Sequence, residues 1–354
     1  KNLKYLTSPF SANNPVIVLL NQMGKPRTHA EEQADVAAWR EAMAPYPFVK
    51  DILPMDAFAR CWVQETALFD SIGRALPAQM HSTFDTLRDI WTRSRRALYL
   101  SSVDAMARHM WRLLQAHELV PTPTLKDHLR SFGSQIGLIK TRNEALEDAQ
   151  TALSAMAADS LCSLTDKLIG INGLTGSGVS REILRRMKTD WQMASHSISP
   201  GPAAAVGASV GVAGGAAAGA AADMASAGLS LGLGTLLGGI IGAIGGVGAA
   251  TIYNSRHRKE GIDISWSERA AQDFMLESLL LYLAVAHFGR GRGDWQEGES
   301  PEFWKKAVQD AMTEQKVSFQ AIRKLTPEEG VEQLTRMTDS LLRGVFMQLY
   351  ERSI

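Results

Sequence analysis

The sequence predicts a mainly α-helical protein with a partial α/β unit at its front and a glycine-rich helical hairpin set into its body. Three observations carry that reading. Val16–Leu20 is a short apolar run rich in β-branched residues, bounded by Pro15 and Asn21 and followed by a helical pattern. From Gln79 onward apolar residues recur at helical spacing for most of the chain. Between Ala203 and Ile252 the only charge is Asp223, and many of the glycines there fall four residues apart.

The bulk composition narrows the classes. The chain of 354 residues has room for two or three domains and an ample core. It carries 37 basic and 37 acidic side chains, so no net field draws it to nucleic acid. Cys61 and Cys162 stand alone, which suits a reducing compartment and gives neither a disulfide framework nor a zinc site. No signal peptide is legible, and an opening without Met or an apolar run reads as a piece of a longer protein.

The elements follow in order. Val16–Leu20 has the pattern of a strand buried on both faces, as in a parallel sheet. Thr28 and Glu31 form a capping box for a helix running to about Met43. Val49–Leu53 reads as a second strand and Phe58–Leu76 as a helix. This front unit, 1–76, is too short to close a doubly wound sheet. A long helix is expected from Gln79 to Ala116, broken by Pro121 and Pro123. A second helical run extends from about Thr124 to Leu168, and Ser180–Ala194 is a basic amphipathic helix with Arg181, Arg185, Arg186 and Lys188. The long-helix domain is therefore assigned to 77–200 and the glycine-rich hairpin to 201–255. Residues 256–354 are expected to supply helices at Trp266–Phe288, Pro301–Glu314 and Thr326–Tyr350 that pack on 77–200. The last of these is announced by Thr326, Pro327 and Glu329.

Within the hairpin, Gly207, Gly211, Gly215 and Gly219 share one helix face, and Gly234, Gly238, Gly242 and Gly246 share another. A face without side chains lets two helix backbones approach closely, as small-xxx-small motifs do in lipid. Each segment approaches the length that crosses a hydrocarbon core of about 30 Å. Asp223 to Leu229 is expected to be the turn. The basic cluster before the first segment, and Arg256, Arg258 and Lys259 after the second, would keep both ends on the cytoplasmic side. Trp191, Tyr253 and Trp266 lie where interfacial aromatics are expected. A hairpin buried in protein, or one that joins copies of the chain, also needs small uncharged residues, so that reading stands beside the membrane, while the strict four-residue register disfavours a flexible linker.

The apolar strand ending in Asn21-Gln22-Met23-Gly24 resembles the guanine-recognition element of GTPases, Asn-Lys-x-Asp at the mouth of a parallel strand. Asn21 matches, Gln22 stands in place of Lys, and Gly24 in place of the Asp that reads the base. Asp56, after the next strand, occupies the position of the second base-contacting loop. With the long helices and the phrase ADMASAGLSLGLGTLLGGIIGA, the chain resembles a bacterial Era-like GTPase with a helical C-terminal domain. The resemblance implies that the front strands are the end of a P-loop GTPase-like parallel sheet. It also implies a protein that binds GTP and Mg²⁺, resides in the cytoplasm at the inner membrane, and has an integral membrane protein as a possible partner. The phosphate loop and the magnesium-binding residues are then expected to precede Lys1. The alternative class is a non-catalytic helical protein whose glycine zippers assemble as a homo-oligomer in or on the bilayer.

Other motifs carry less. Gly173-Leu-Thr-Gly-Ser-Gly178 lacks the Lys of a phosphate loop and reads as a turn between helices. Gly289-Arg-Gly-Arg-Gly293 reads as a solvated loop ending a helix. No two of the eight histidines are spaced i, i+3 or i, i+4 as a helical metal site requires, and no catalytic set is legible.

Overall fold

The computed structural model describes residues 14–21, 29–55, 61–121, 135–174, 253–258, 261–287 and 302–351. The front unit is a parallel pair with its crossover helix: β1 (Val16–Leu20), α1 (His29–Met43) and β2 (Val49–Pro54), followed by α2 (Trp62–Ala75). Leu20, Val36, Met43 and Ile52 form a small separate core there. Double-sided burial of β1 is not observed, because Leu19 is 44% exposed. Strand propensity is satisfied on one face and left partly wet on the other. The helix expected from Phe58 is seen from Trp62, since Phe58 itself lies outside the described residues.

Asp51 ties this unit together. Its carboxylate accepts from Ser71 Oγ at 2.7 Å and from Arg74 Nη2 at 2.9 Å, both on α2, while Arg40 on α1 lies 3.9 Å away. A charge-assisted pair with two donors and a 17% exposed acceptor fixes geometry better than an exposed surface pair does.

The body is a helical assembly around one large core. Its helices are α3 (His81–Gln115), α4 (Gln135–Ile171), α5 (Glu268–Ala286), α6 (Glu302–Glu314) and α7 (Pro327–Tyr350). Met106 and Met110 of α3, Leu153 and Leu168 of α4, Leu279 of α5, Val308 of α6 and Phe346 of α7 belong to the same buried cluster. Helices on either side of residues 175–252 therefore share one core. Ser267 caps α5 by accepting from the Ala270 N–H at 3.2 Å. Thr326 and Glu329 close the expected capping box on α7, and their hydrogen bonds hold the Glu329 carboxyl below its ordinary range.

The body is not purely helical. β3 (His117–Pro121), β4 (Tyr253–Arg258) and β5 (Gly261–Trp266) form an antiparallel sheet in the order β3-β5-β4. Pro121 does end the helical pattern, but the residues before it pair with β5. Trp266, expected at a membrane interface or opening a helix, ends β5 instead. It is fully buried and meets Phe274 edge-on at 5.0 Å. Arg256 and Arg258 lie in β4, with Arg256 directly opposite Asp263 in the register. The strand straddles the boundary expected at 255/256.

Arg323 joins three elements. Its guanidinium donates to the carbonyls of Leu114 at the end of α3, Trp266 at the end of β5 (both 2.9 Å), and Ser267 at the start of α5 (3.5 Å). Replacing it removes charged donors from carbonyls that have few alternatives. The variant Arg323→Met should lose about 2 kcal/mol in denaturant unfolding, since hydrogen bonds to charged groups are worth about 1.5–3 kcal/mol. A loss below about 0.5 kcal/mol would mean that water replaces the guanidinium fully.

Candidate functional site

The site expected from the sequence lies at the carboxyl ends of β1 and β2. In parallel α/β units this edge is where ligands sit, because the strand ends and following loops leave a crevice. The register pairs Leu20 with Pro54, and the Met55 N–H donates to the Leu20 carbonyl at 2.9 Å. Asn21, next in the chain, is exposed at that edge. Gln22, Gly24 and Asp56 lie outside the described residues. Of the expected base-contacting set, the structure thus locates Asn21 alone.

The hairpin glycines Gly207, Gly211, Gly215, Gly219, Gly234, Gly238, Gly242 and Gly246, with Asp223, also lie outside the described residues. So do Gly176, Gly178 and the Gly289–Gly293 motif. The chain departs for this region from Leu174, packed against the core after α4, and returns at Tyr253 in β4. Among the described residues no helix is long and apolar enough to cross a membrane.

Sequence reasoning missed how α2 enters the body. Cys61 and Val63 at its amino end are buried in the large core, and Trp62 meets Tyr99 of α3 at 6.0 Å between ring centroids. The Tyr99 hydroxyl donates to Asp339 Oδ1 on α7 at 2.7 Å, and Arg343 Nε donates to the other oxygen at 2.8 Å. Burial opposes ionisation of Asp339, but these two donors hold its carboxyl below the usual range. The only sequence signal for this junction was the cluster of large residues at Cys61–Val63, which also fits an ordinary helix start.

Among the described residues the buried titratable groups are dispersed through the core and bonded to its helices. Burial pushes the Cys61 thiol up to about 12, with Glu65 adding to the rise, so it stays a protonated thiol and not a nucleophile. Among the described residues no three His, Cys, Asp or Glu side chains are placed to hold a metal ion.

Two buried histidines instead make structural bonds. His109 Nδ1 lies 2.9 Å from Ser160 Oγ, joining α3 and α4. His287 Nδ1–H donates to the Leu283 carbonyl at 2.6 Å, so its Nε2 accepts from the Tyr350 hydroxyl. Burial lowers both from the ordinary 6.5 to about 4. Burial raises Glu277 from 4.5 to about 7, with Lys305 opposing and Asp273 adding to the rise.

The signs then oppose each other. Between about pH 4.5 and 6.5 the unfolded chain takes protons on two histidines that the folded chain leaves neutral. Over the same window the folded chain holds a proton on Glu277 that the unfolded chain releases. The two histidines outweigh Glu277, so stability should rise with pH by at most about 1.4 kcal/mol per unit, and least at the acid end, where Asp273, also raised by burial, adds to the side of Glu277. Denaturant melts at half-unit steps check this, and a flat or falling profile across the window would contradict the burial assigned to the histidines. His287→Phe should flatten the slope.

Residues 197–341, from before the glycine-rich stretch to within α7, match the model of a family described only as a domain of unknown function, DUF3482. No curated protein and no solved structure matches the chain.

Proposed function

We propose that the chain is the carboxyl-terminal portion of a membrane-associated GTP-binding protein, in which β1 and β2 contribute to the guanine pocket and the helical body is the nucleotide-responsive effector. The observation that carries the reading is the parallel β1-α1-β2 unit with Asn21 at its carboxyl edge. An amide side chain there offers a donor and an acceptor to a base edge, which is the chemistry that discriminates purines. Asn21 fits a base contact. In this reading the phosphate cradle and the magnesium ligands lie outside the described residues. The glycine zippers of 203–252, inserted between α4 and β4, are the membrane-facing part of the same reading.

In the complete protein, Asn21→Ala should weaken binding of a fluorescent GDP analogue by about tenfold, the loss of about 1.4 kcal/mol expected for one or two hydrogen bonds. Equal affinity in the two proteins would remove Asn21 from the pocket. Vesicle flotation of the whole chain against a variant lacking 203–252 tests the membrane. The deletion should remain folded, because the helices before and after that segment share one buried cluster, and should stay at the bottom of the gradient. Equal flotation of both would defeat the lipid reading.

A further inference from the structure

We propose that α2 is a strut coupling the β1/β2 edge to α7, with Asp51 clamping its strand-side half and Tyr99 receiving its other end. This inference rests on the nucleotide reading above and names how that site would act on the body.

The geometry supports the coupling at both ends of α2. On the strand side, Asp51 of β2 holds Ser71 and Arg74 in the last turns of the helix, so β2 and α2 are joined as one piece. On the body side, α2 begins inside the large core, with Cys61 fully buried and Val63 nearly so. The link between strand and helix is anchored at both termini. Met55 is hydrogen-bonded to Leu20 at the sheet edge, and Cys61 is fixed in the core. A shift of β2 is therefore conveyed to α2 through the Asp51 contacts with Ser71 and Arg74, and the helix carries it to its first turn.

That first turn meets a two-part receiver. The ring of Tyr99 takes the contact from Trp62, and its hydroxyl holds Asp339 of α7, which Arg343 clamps from the other side. The same ring meets Tyr282 of α5 edge-on at 6.2 Å, and Tyr282 in turn meets Phe346 of α7 at 6.4 Å. Aromatic rings are large and stiff, with few torsions in which a displacement dissipates. The Trp62 indole N–H is buried beside the Tyr282 hydroxyl of α5, so the first turn of α2 also faces that ring.

Hydrogen–deuterium exchange across α7 in the complete protein, with and without saturating GDP, tests the strut. In the unaltered protein GDP should change the exchange rate at residues 339–350 by about fivefold, the low end of ordinary coupling between sites. Tyr99→Phe keeps the ring and removes the hydroxyl that reaches Asp339. It should abolish most of that change while GDP remains bound. Asp51→Asn, at the far end of the helix, should do the same without touching α7. Circular dichroism melts confirm that each variant is folded. Bound GDP with unaltered α7 exchange would overturn the strut and leave the nucleotide reading intact. A full response in both variants would also overturn it. Failure of the unaltered protein to bind GDP would remove both readings.

Discussion

Gly261→Val should unfold the body sheet at a cost of about 3 kcal/mol, with the thermal midpoint falling by roughly 6–12 °C on the scale of 2–4 °C per kcal/mol. The reason is where a side chain would go. A Cβ on Gly261 would stand 2.3 Å from the Val120 carbonyl oxygen and 3.0 Å from its carbon. Both atoms are backbone, so no rotamer change relieves the clash. Gly261 pairs with Pro121 in one direction and Arg258 in the other, so separating the strands to make room disturbs the whole sheet. Ile264 and Trp266, buried on β5, would lose their seat with it. Gly170→Ala is the control, because nothing lies within 4 Å of its Cβ position on α4. It should stabilise by about 0.5–1 kcal/mol through helix propensity alone. Equal and small effects at both positions would mean that β3 and β5 do not meet closely at Gly261.

Much of the fold was legible in the sequence because helices announce themselves locally. Thr326, Pro327 and Glu329 place the start of α7 to the residue, and the period of Leu334, Leu341, Leu342 and Val345 places its buried face. The first strand of the parallel pair was legible as well, since the β-branched run Val16–Leu20, bounded by Pro15 and Asn21, leaves few alternatives. The antiparallel sheet was not. Its middle strand does alternate, with Ile262, Ile264 and Trp266 inward, but the helix that follows two residues later masks so short a period-two signal. His117–Pro121 carries no strand pattern of its own. It becomes a strand because β5 offers a hydrogen-bonding edge, which is a tertiary cause that no local window contains.

The candidate site was legible only in part, for a related reason. Asn21 was readable as the residue after a strand because a strand end is a local feature, and it lies at the edge where the register also brings Met55. The junction of α2 with the body was invisible. It depends on Tyr99 and Asp339, which are separated by 240 positions in the chain. Contacts of such range leave no periodicity, and neither residue is unusual in its own helix.

Gly330→Leu should cost about 2–3 kcal/mol, and the loss should shrink when Trp111 is shortened in the same protein. Gly330 lies in the first turn of α7, where helix propensity alone would favour almost any other residue. Its place is explained by α3, since a Cβ there would stand 2.0 Å from Trp111 Cζ3 and 2.7 Å from Cη2. The indole occupies the space where the side chain would be, so α3 and α7 approach over a glycine opposite a tryptophan. The obstacle differs in kind from that at Gly261. It is the far end of a rotatable, half-buried side chain, and the ring can swing toward solvent at the cost of its packing. For that reason a partner substitution can repair this clash. Gly330→Leu with Trp111→Val should therefore be more stable than the sum of the single losses by 1 kcal/mol or more, a coupling of the size seen between residues in contact. Additive losses in the double-mutant cycle would place Trp111 away from Gly330. They would also remove the close approach on which the seating of α7, and of Asp339 against Tyr99, depends.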